Sequence, residues 1–339
     1  MSRTRSLPDF QRAFPDEAAC TAYLFAIRFP AGFACPACGD TREPYRVRTR
    51  PQILQCRAHG HETSLTANSV MHRTKQPISL WFWAAWLVTS HTPGMSAVQF
   101  QKLLGIGRYE TAFLMLHKLR AAMVRPERDA IGDQWPVEVD ETLVGGATQG
   151  KGKGVTDKVL VAGAVEVRPR PSGKGKAESE ETSKPRHRGG HGRGLVAGRL
   201  RLQCLPSRKK EALEPFVQGN VAPGTLVRTD GWIGYDDLDY LGYRHERVAV
   251  RGDHEKTEQH LPMIHIVFGN LDTWLLGTHH GVSPKHLQAY LNEFAFRFNR
   301  RHWPMAAFDS VLGIGVRVAA PTRAGLYGGS WSHPSTLLG

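Results

Sequence analysis

The sequence lacks any apolar run long enough to cross a membrane. Its longest apolar stretch, residues 78–89 (ISLWFWAAWLVT), is well short of the ~20 residues that a spanning helix needs, so we expect a buried helix there. The basic start of the chain also lacks the apolar core and cleavage signal of a secretory leader, and we expect none. Cysteine is scarce. The chain has five, an odd number that argues against a disulfide framework and favours a reducing compartment.

Acidic residues are too few to balance the basic ones. Lysine and arginine number 44 against 31 aspartates and glutamates, which gives a net charge of +13 and a pI near 9.8. Such an excess of positive charge favours a polyanionic partner, of which nucleic acid is the commonest. The 339 residues, 41% of them hydrophobic, are enough for two or three domains with real cores, which excludes wholesale disorder.

Two pairs of candidate metal ligands stand near the start of the chain. Cys35 and Cys38 are separated by two residues, and Cys56 and His59 repeat that spacing. His61 is an alternative to His59. Zinc prefers four soft ligands in a tetrahedron, and two short-spaced pairs on hairpin turns provide that arrangement. The spacing therefore predicts a structural Zn²⁺ in a zinc ribbon, and not a catalytic centre, because no coordination position would stay open.

The segment at residues 75–130 predicts a helical DNA-binding region. Ser96 can cap a short helix that stops at Gly105, and a second helix follows this glycine turn. Two helices joined in this way are typical of a helix-turn-helix, whose second helix reads DNA. We place these residues of the second helix on its solvent side: Arg108, Thr111, His117, Lys118 and Arg120. The two arginines and the lysine are predicted DNA contacts, and a helical bundle that only packs is the alternative.

From residue 133 onward, strands and helices alternate. Three successive strands, a helix and a further strand that ends in an acid have the order of a ribonuclease-H-like sheet, so this half is predicted to be α/β. The first strand carries Asp140, and the later strand ends at Asp230. Phosphodiester transfer by two metal ions needs hard oxygen ligands that hold the ions about 4 Å apart. We therefore predict that both aspartates bind catalytic Mg²⁺ or Mn²⁺.

Several segments of the chain resemble one known family. They are the two metal knuckles, VEVDETLVGG, VAPGTLVRTDGWIGYDDLDYLGY and GTHHGVSPKHLQAYLNEFAFRFNRR. Over about residues 10–303 the chain is similar to bacterial insertion-sequence transposases, which join an N-terminal zinc ribbon to a DDE-type catalytic domain. This resemblance implies that Asp140 and Asp230 are the first two catalytic acids.

The third catalytic residue varies in that family among glutamate, asparagine and histidine. His265 matches its position and lies 35 residues after Asp230, the interval typical of the wider DDE class. Asn270 and Glu293 are the alternatives. Imidazole is a softer ligand than carboxylate, so we expect Mn²⁺ to support at least as much activity as Mg²⁺.

The resemblance also bears on residues beyond the third catalytic position. Relatives carry a lysine seven residues after that position, where this chain has Asp272, and Lys285 is the nearby cation that we expect to contact DNA instead. Glu293, Arg297 and Arg300 share one helix face and match a glutamate–arginine–arginine signature of the family. The resemblance implies a catalytic or DNA-backbone role for these three, and a surface salt-bridge ladder is the alternative.

The predicted organisation is multidomain. Its parts are a zinc ribbon at 10–70, a helix-turn-helix-like segment at 75–130, a ribonuclease-H-like DDE catalytic domain at 133–305 with a flexible insertion at about 168–194, and a C-terminal tail at 306–339.

The function predicted from these features is that of a DNA transposase that cleaves insertion-sequence ends and transfers the strands into target DNA. Its expected partners are double-stranded DNA and further copies of itself in a synaptic complex, without a membrane, in the bacterial cytoplasm at the nucleoid. Two alternatives are a non-catalytic zinc-ribbon DNA-binding regulator and a ribonuclease-H-like nuclease that cuts without joining.

Overall fold

The computed structural model describes residues 6–91, 93–145, 158–170, 194–248 and 260–328. The chain divides into two compact units. The helical unit comprises Met1–Arg128, Gly277–His280 and Lys285–Leu338, and the sheet unit comprises Asp129–Leu276 and Gly281–Pro284. Most of the predicted insertion, residues 171–193, and the end of the predicted tail, residues 329–339, lie outside the described residues.

The secondary structure follows the predicted change from helices to a mixed α/β pattern. In chain order the elements are α1 (Leu7–Ala13), α2 (Glu17–Arg28), β1 (Tyr45–Arg46), β2 (Ile53–Gln55), β3 (Glu62–Ser64), α3 (Ile78–Ser90), α4 (Ala97–Leu103), α5 (Tyr109–Ala121), β4 (Val137–Val144), β5 (Val159–Pro169), β6 (Leu195–Leu205), α6 (Lys210–Asn220), β7 (Leu226–Thr229), β8 (Arg244–Arg247), α7 (Pro262–Trp274), α8 (Pro284–Asn299), α9 (Pro304–Gly315) and α10 (Arg323–Gly328). Strands β1 to β3 form a small antiparallel sheet in that order.

Helix α3 is the apolar centre of the helical unit. It begins at Ile78 because the carboxylate of Glu17 accepts the backbone N–H groups of Ile78 and Ser79, both at 2.7 Å, at the end where a helix leaves its donors unpaired. Trp81 and Phe82 on this helix are buried, which confirms the predicted buried helix. No helix in the described part of the chain combines the length and apolar character needed to cross a membrane.

The segment predicted to be a C-terminal tail begins instead with a core helix. Helix α9 packs against α3, and Phe308, Val311 and Leu312 are fully or almost fully buried. The prediction of a tail from residue 306 is therefore wrong for this helix. The segment is rich in glycine, which is typical of a tail, but its apolar residues Phe308, Val311 and Leu312 have the spacing of three and four residues found in an amphipathic helix.

Helices α4 and α5 occur where the sequence places them. The Ser96 hydroxyl caps α4 by accepting the Gln99 N–H at 3.2 Å, and Gly105 supplies the left-handed backbone (φ 62°) that ends the helix. The predicted solvent side of α5 is partly wrong, because His117 and Arg120 are buried in the helical unit. The basic character of these residues does not reveal that both have partners inside the unit.

The sheet unit contains a five-stranded sheet in the order β6-β5-β4-β7-β8. The β6–β5 and β5–β4 pairs are antiparallel, whereas the β4–β7 and β7–β8 pairs are parallel. One face of β4 directs Val137 and Val139 into an apolar core that also includes Leu213 and Phe216 of α6. The opposite face of β4 packs against α7 and carries Glu138 and Asp140.

Candidate metal centres and active site

The four predicted zinc ligands converge in the helical unit. One ligand atom each from Cys35, Cys38, Cys56 and His59 lies within 4.8 Å of all the others. The Cys38 Sγ atom is 3.7 Å from the Cys56 Sγ atom and 3.7 Å from His59 Nδ1. Ligands about 2.3 Å from a zinc ion in a tetrahedron would be separated by roughly 3.8 Å, so the cluster fits Zn²⁺. The structure favours His59 over His61 as the fourth ligand.

The two halves of this cluster repeat one backbone pattern. Gly39 donates its N–H to the Cys35 carbonyl at 2.8 Å, and Gly60 donates to the Cys56 carbonyl at 3.0 Å. Both glycines have a φ of 74°, in the left-handed region that favours glycine. Each turn places its two ligands side by side, and all four positions are taken by protein atoms. The site therefore fits a structural metal.

In the sheet unit, the two predicted catalytic aspartates lie on neighbouring parallel strands. Val137 is opposite Val227 and Glu138 is opposite Arg228. The same offset sets Asp140 opposite Asp230, the residue directly after β7. Because side chains alternate between faces along a strand, residues two positions further along both strands return to the same face. The two carboxylates therefore share one face of the sheet.

The environment of Asp140 disfavours its charged form. Its side chain is only 6% exposed. Burial, followed by the negative charges of Glu141 and Asp230, raises the pKa of Asp140 to about 7, although the Glu141 N–H and Arg208 act in the opposite direction. A carboxylate destabilised in this way gains from a nearby cation, since a positive charge would offset both the burial and the repulsion.

Glu141 points to the other face of β4 and already has partners. Its Oε1 atom accepts from the Arg208 Nε atom at 2.6 Å, and its Oε2 atom accepts from the Tyr235 hydroxyl at 2.6 Å. Asp230 and Asp140 also interact electrostatically with Arg208. Burial alone would lower the pKa of Arg208, but the charges of Glu141, Asp230 and Asp140 together raise it. The guanidinium therefore partly balances the negative charge of these three acids.

His265 lies at the same face. It belongs to the first turns of α7, and its Nε2 atom is 3.4 Å from the Asp140 Oδ2 atom. The rival Asn270 is exposed, and five residues along an α-helix correspond to a rotation of about 140° away from His265. Asp272 is also exposed and, at seven residues, returns to the face of His265 roughly 10 Å along the helix axis.

The start of α7 is fixed by a second buried acid on β4. The Glu138 Oε2 atom accepts the backbone N–H groups of Met263 at 2.8 Å and Ile264 at 2.9 Å, although its pKa is raised to about 7 by burial. A carboxylate at a helix N-terminus satisfies unpaired donors and complements the helix dipole. Glu138 therefore ties the helix that carries His265 to the strand that carries Asp140.

A glycine allows this helix to approach the sheet. Gly163 of β5 is opposite Asp140, and a Cβ atom at this position would lie 2.8 Å from the Ile264 Cδ1 atom and 2.9 Å from the Phe268 Cε1 atom. Contacts this short require these two side chains, or the helix that carries them, to shift. Sequence reasoning missed the roles of Gly163, Glu138 and Arg208. The only signal was that Glu138 stands two residues before Asp140 and so faces the same way.

Glu293 belongs to the helical unit, where it forms a buried ion pair. Its Oε2 atom is 2.7 Å from the Arg120 Nε atom, and both side chains are 1% exposed. Burial alone would raise the pKa of Glu293, but the charges of Arg120 and Arg297 lower it. The surface salt-bridge ladder considered from the sequence is therefore wrong for this residue, since the pair is internal.

The two arginines that follow Glu293 are also largely withdrawn from solvent. The Arg297 Nη1 atom is 3.5 Å from the Glu293 Oε1 atom, and the Nη2 atom of the same arginine donates to the His91 carbonyl. Arg300 stacks on Phe296, with its guanidinium carbon 3.9 Å from the ring centre, and burial lowers the pKa of Arg300 to about 10. The three residues of the signature therefore have different surroundings within the helical unit.

The four predicted DNA-binding cations divide into two groups. Arg108, at the start of α5, and Lys285, in the first turn of α8, are exposed. Lys118 is partly buried, which lowers its pKa, and it donates to the His72 carbonyl at 2.9 Å. Arg120 is fully buried, so it is not available to DNA in this structure.

Two family models match the chain at the positions of these clusters. The transposase zinc-ribbon domain matches residues 15–62, which contain the four cysteine and histidine ligands. The ISXO2-like transposase domain matches residues 132–299, which contain Asp140, Asp230 and His265. No curated protein and no solved structure matches the chain.

Proposed function

Because the chain belongs to the transposases that combine this zinc ribbon with an ISXO2-like domain, we propose that it cleaves DNA at the ends of an insertion sequence and joins the freed 3′ ends to target DNA. The observation that carries the proposal is the pair Asp140 and Asp230 on one face of adjacent parallel strands, with His265 beside Asp140. The strand order β6-β5-β4-β7-β8 supports a ribonuclease-H-like fold for the sheet unit.

Asp140, Asp230 and His265 would hold Mg²⁺ or Mn²⁺. Such ions supply charge for the attacking and leaving oxygens of a phosphodiester during displacement. The chain's own contribution is to keep these ligands together before DNA arrives. Glu138 anchors α7, and Arg208 limits the repulsion among the acids. No covalent intermediate on the protein is needed, since water and the 3′-hydroxyl serve as the nucleophiles.

For DNA binding we propose that α4 and α5 act as a helix-turn-helix. In such motifs the N-terminal residues of the second helix contact base edges, and the exposed residues of α5 lie in its first turn, next to Arg108. Arg108 and Lys285 are the cations available for phosphates or bases. We further propose a homo-oligomer in the synaptic complex, because one reaction must bring together two transposon ends.

For Glu293 we propose a positioning role in place of metal binding. Its two oxygens already contact Arg120 and Arg297, and a metal ion at this place would meet two positive charges. Arg297 and Arg300 would then support α8 and present residual positive charge to the DNA backbone.

The experiment that tests the proposal compares Asp140→Ala with Asp237→Ala, a sheet-unit aspartate that pairs with Lys210. With DNA ends taken from the flanks of the coding sequence, we expect Asp140→Ala to retain binding and lose metal-dependent cleavage by at least about 10³-fold. Asp237→Ala should keep both activities. Binding of these DNA ends without cleavage by the unaltered protein would favour a DNA-binding regulator, and equal cleavage by both variants would argue against Asp140 as a metal ligand. Cleavage without joining of pre-cut ends by the unaltered protein would favour a nuclease.

A further inference from the structure

An exposed apolar pair, Trp232 and Ile233, follows Asp230 after a single glycine. Trp232 is 40% exposed and Ile233 is 69% exposed, although both belong to the sheet unit, whose core is close by. Large apolar side chains exposed together in a soluble unit mark a surface that meets a partner. Neither side chain contributes a ligand to the proposed metal site, so their exposure calls for a separate explanation.

The indole ring of Trp232 is held in one orientation. Its Nε1–H donates to the Arg208 carbonyl at 2.7 Å, and the Arg208 guanidinium carbon lies 4.8 Å from the ring centre. Gly234 makes this packing possible, because a Cβ atom there would lie 2.9 Å from the Arg208 carbonyl oxygen and 3.0 Å from the Trp232 Cδ1 atom. An exposed ring fixed in this way loses little conformational entropy when it binds a flat ligand.

The same residue contacts the metal-binding carboxylate through its backbone. The Trp232 N–H donates to the Asp230 Oδ1 atom at 3.0 Å, across the turn at Gly231, whose φ is 78°. A phosphate bound through a metal ion at Asp230 would therefore place its neighbouring nucleotide within reach of the ring. The positive charge of Arg208, adjacent to the ring, complements a polyanionic strand.

We propose that Trp232, flanked by Ile233, is a stacking platform for an unpaired base next to the scissile phosphate. This inference rests on the proposed function, since it assumes a DNA strand at Asp140 and Asp230. Every base has an aromatic face, so stacking tolerates any sequence, and enzymes that act at a strand end gain from holding a base outside the duplex. The partner is thus a nucleobase and not an apolar protein surface.

The test uses DNA duplexes with a three-nucleotide single-stranded overhang that carries 2-aminopurine at each position in turn, in Ca²⁺. We expect the unaltered protein to change the emission at one position, and Trp232→Ala to abolish that change. Metal-dependent cleavage by Trp232→Ala should fall about 5- to 100-fold, as for other stacked bases. Trp232→Phe should recover most of the rate. The matched control is Tyr240→Ala, because Tyr240 is an aromatic residue of the same unit that is 89% exposed.

An abasic nucleotide separates stacking from a structural effect on Asp230. At the responding position it should slow the unaltered protein by the same factor and remove the difference between that protein and Trp232→Ala. The cleavage rate of the unaltered protein on abasic DNA can be measured even if Trp232→Ala folds poorly. If the unaltered protein cleaves DNA but neither Trp232→Ala nor the abasic nucleotide slows cleavage, the stacking platform is contradicted while the proposed function stands. A defect of Trp232→Ala that persists on abasic DNA contradicts the platform in the same way. Absence of DNA cleavage by the unaltered protein overturns the proposed function itself.

Discussion

Two charged sites in this chain, each containing at least one buried carboxylate, differ in how their charge is balanced. In the sheet unit, Asp140, Asp230 and Glu141 interact with one guanidinium, that of Arg208. In the helical unit, by contrast, Glu293 is a single buried carboxylate that interacts with two guanidinium groups. It faces Arg120 and Arg297, so that cluster carries surplus positive charge among the described residues.

The pKa directions follow this difference. The pKa of Asp140 is raised to about 7 by burial and neighbouring acids, whereas the pKa of Glu293 is lowered because its two arginines overcome the effect of burial. Surplus negative charge favours the binding of a divalent cation, whereas surplus positive charge opposes it. Burial of an acid alone is therefore a weaker sign of a metal site than the balance of charge around it.

The largest effect on stability should come from breaking the buried pair of Glu293 and Arg120 in the helical unit. Arg120→Ala leaves Glu293 buried without its closest cation, and we expect the free energy of unfolding to fall by about 3–5 kcal/mol. Chemical denaturation monitored by circular dichroism measures this change. The control is the double variant Arg120→Met with Glu293→Leu, which removes both charges of the pair and should recover part of the lost stability, although Arg297 then loses its contact with Glu293. It should keep measurable metal-dependent cleavage, because Glu293 is not proposed as a metal ligand. A stable double variant that has lost cleavage would instead support Glu293 as a catalytic residue.

Removing the negative charge of Asp140 in the sheet unit should increase stability, whereas removing Arg120 in the helical unit should decrease it. Asp140→Asn is expected to raise the free energy of unfolding by about 2 kcal/mol at pH 8 without divalent metal. The raised pKa of Asp140 means that its unfavourable ionisation develops as the pH rises from about 4 through 7. The gain should therefore shrink as the pH falls toward 4, and added Mn²⁺ should stabilise only the unaltered protein. A gain independent of pH would contradict this account.

A smaller effect should follow from pushing α7 away from the sheet. We expect Gly163→Ala to cost about 1–3 kcal/mol, because the new methyl group overlaps Ile264 and Phe268. It should also weaken Mn²⁺ binding, since His265 moves with the helix. Gly269→Ala, on the same helix with nothing within 4 Å of the added Cβ, should be neutral or stabilising by up to about 1 kcal/mol. Equal metal affinity in both variants would argue against His265 as a ligand.

The smallest effect concerns the choice of metal. With His265 as a ligand, we expect cleavage rates in Mn²⁺ at least equal to those in Mg²⁺, because imidazole suits softer ions better than carboxylate does. His265→Asp should shift the preference toward Mg²⁺, as a ratio of rates measured at saturating metal. A rate in Mn²⁺ far below that in Mg²⁺ for the unaltered protein would count against a role for His265.

Spacing and alternation predicted the parts of the molecule that depend on local pattern. The pairs Cys35/Cys38 and Cys56/His59 converge as expected, because their turns fix the ligands over a few residues. Alternation along β4 predicted which face carries Asp140.

Partners distant along the chain could not be predicted. Arg120 and Glu293 are 173 residues apart, and helical periodicity treats a charged residue as solvent-facing because it does not encode a partner on another helix. The role of Glu138 depends on where α7 begins in space. The need for glycine at position 163 likewise depends on the close packing of α7 against β5, which the sequence does not show.

Anomalous diffraction from a crystal soaked in Mn²⁺ shows whether the acids of the sheet unit bind a divalent cation. We expect an anomalous peak coordinated by the carboxylates of Asp140 and Asp230 with His265 alongside, and no such peak in Asp140→Ala crystals soaked in the same way. A peak at Glu293, or none at Asp140 when the ion is saturating, would contradict this expectation.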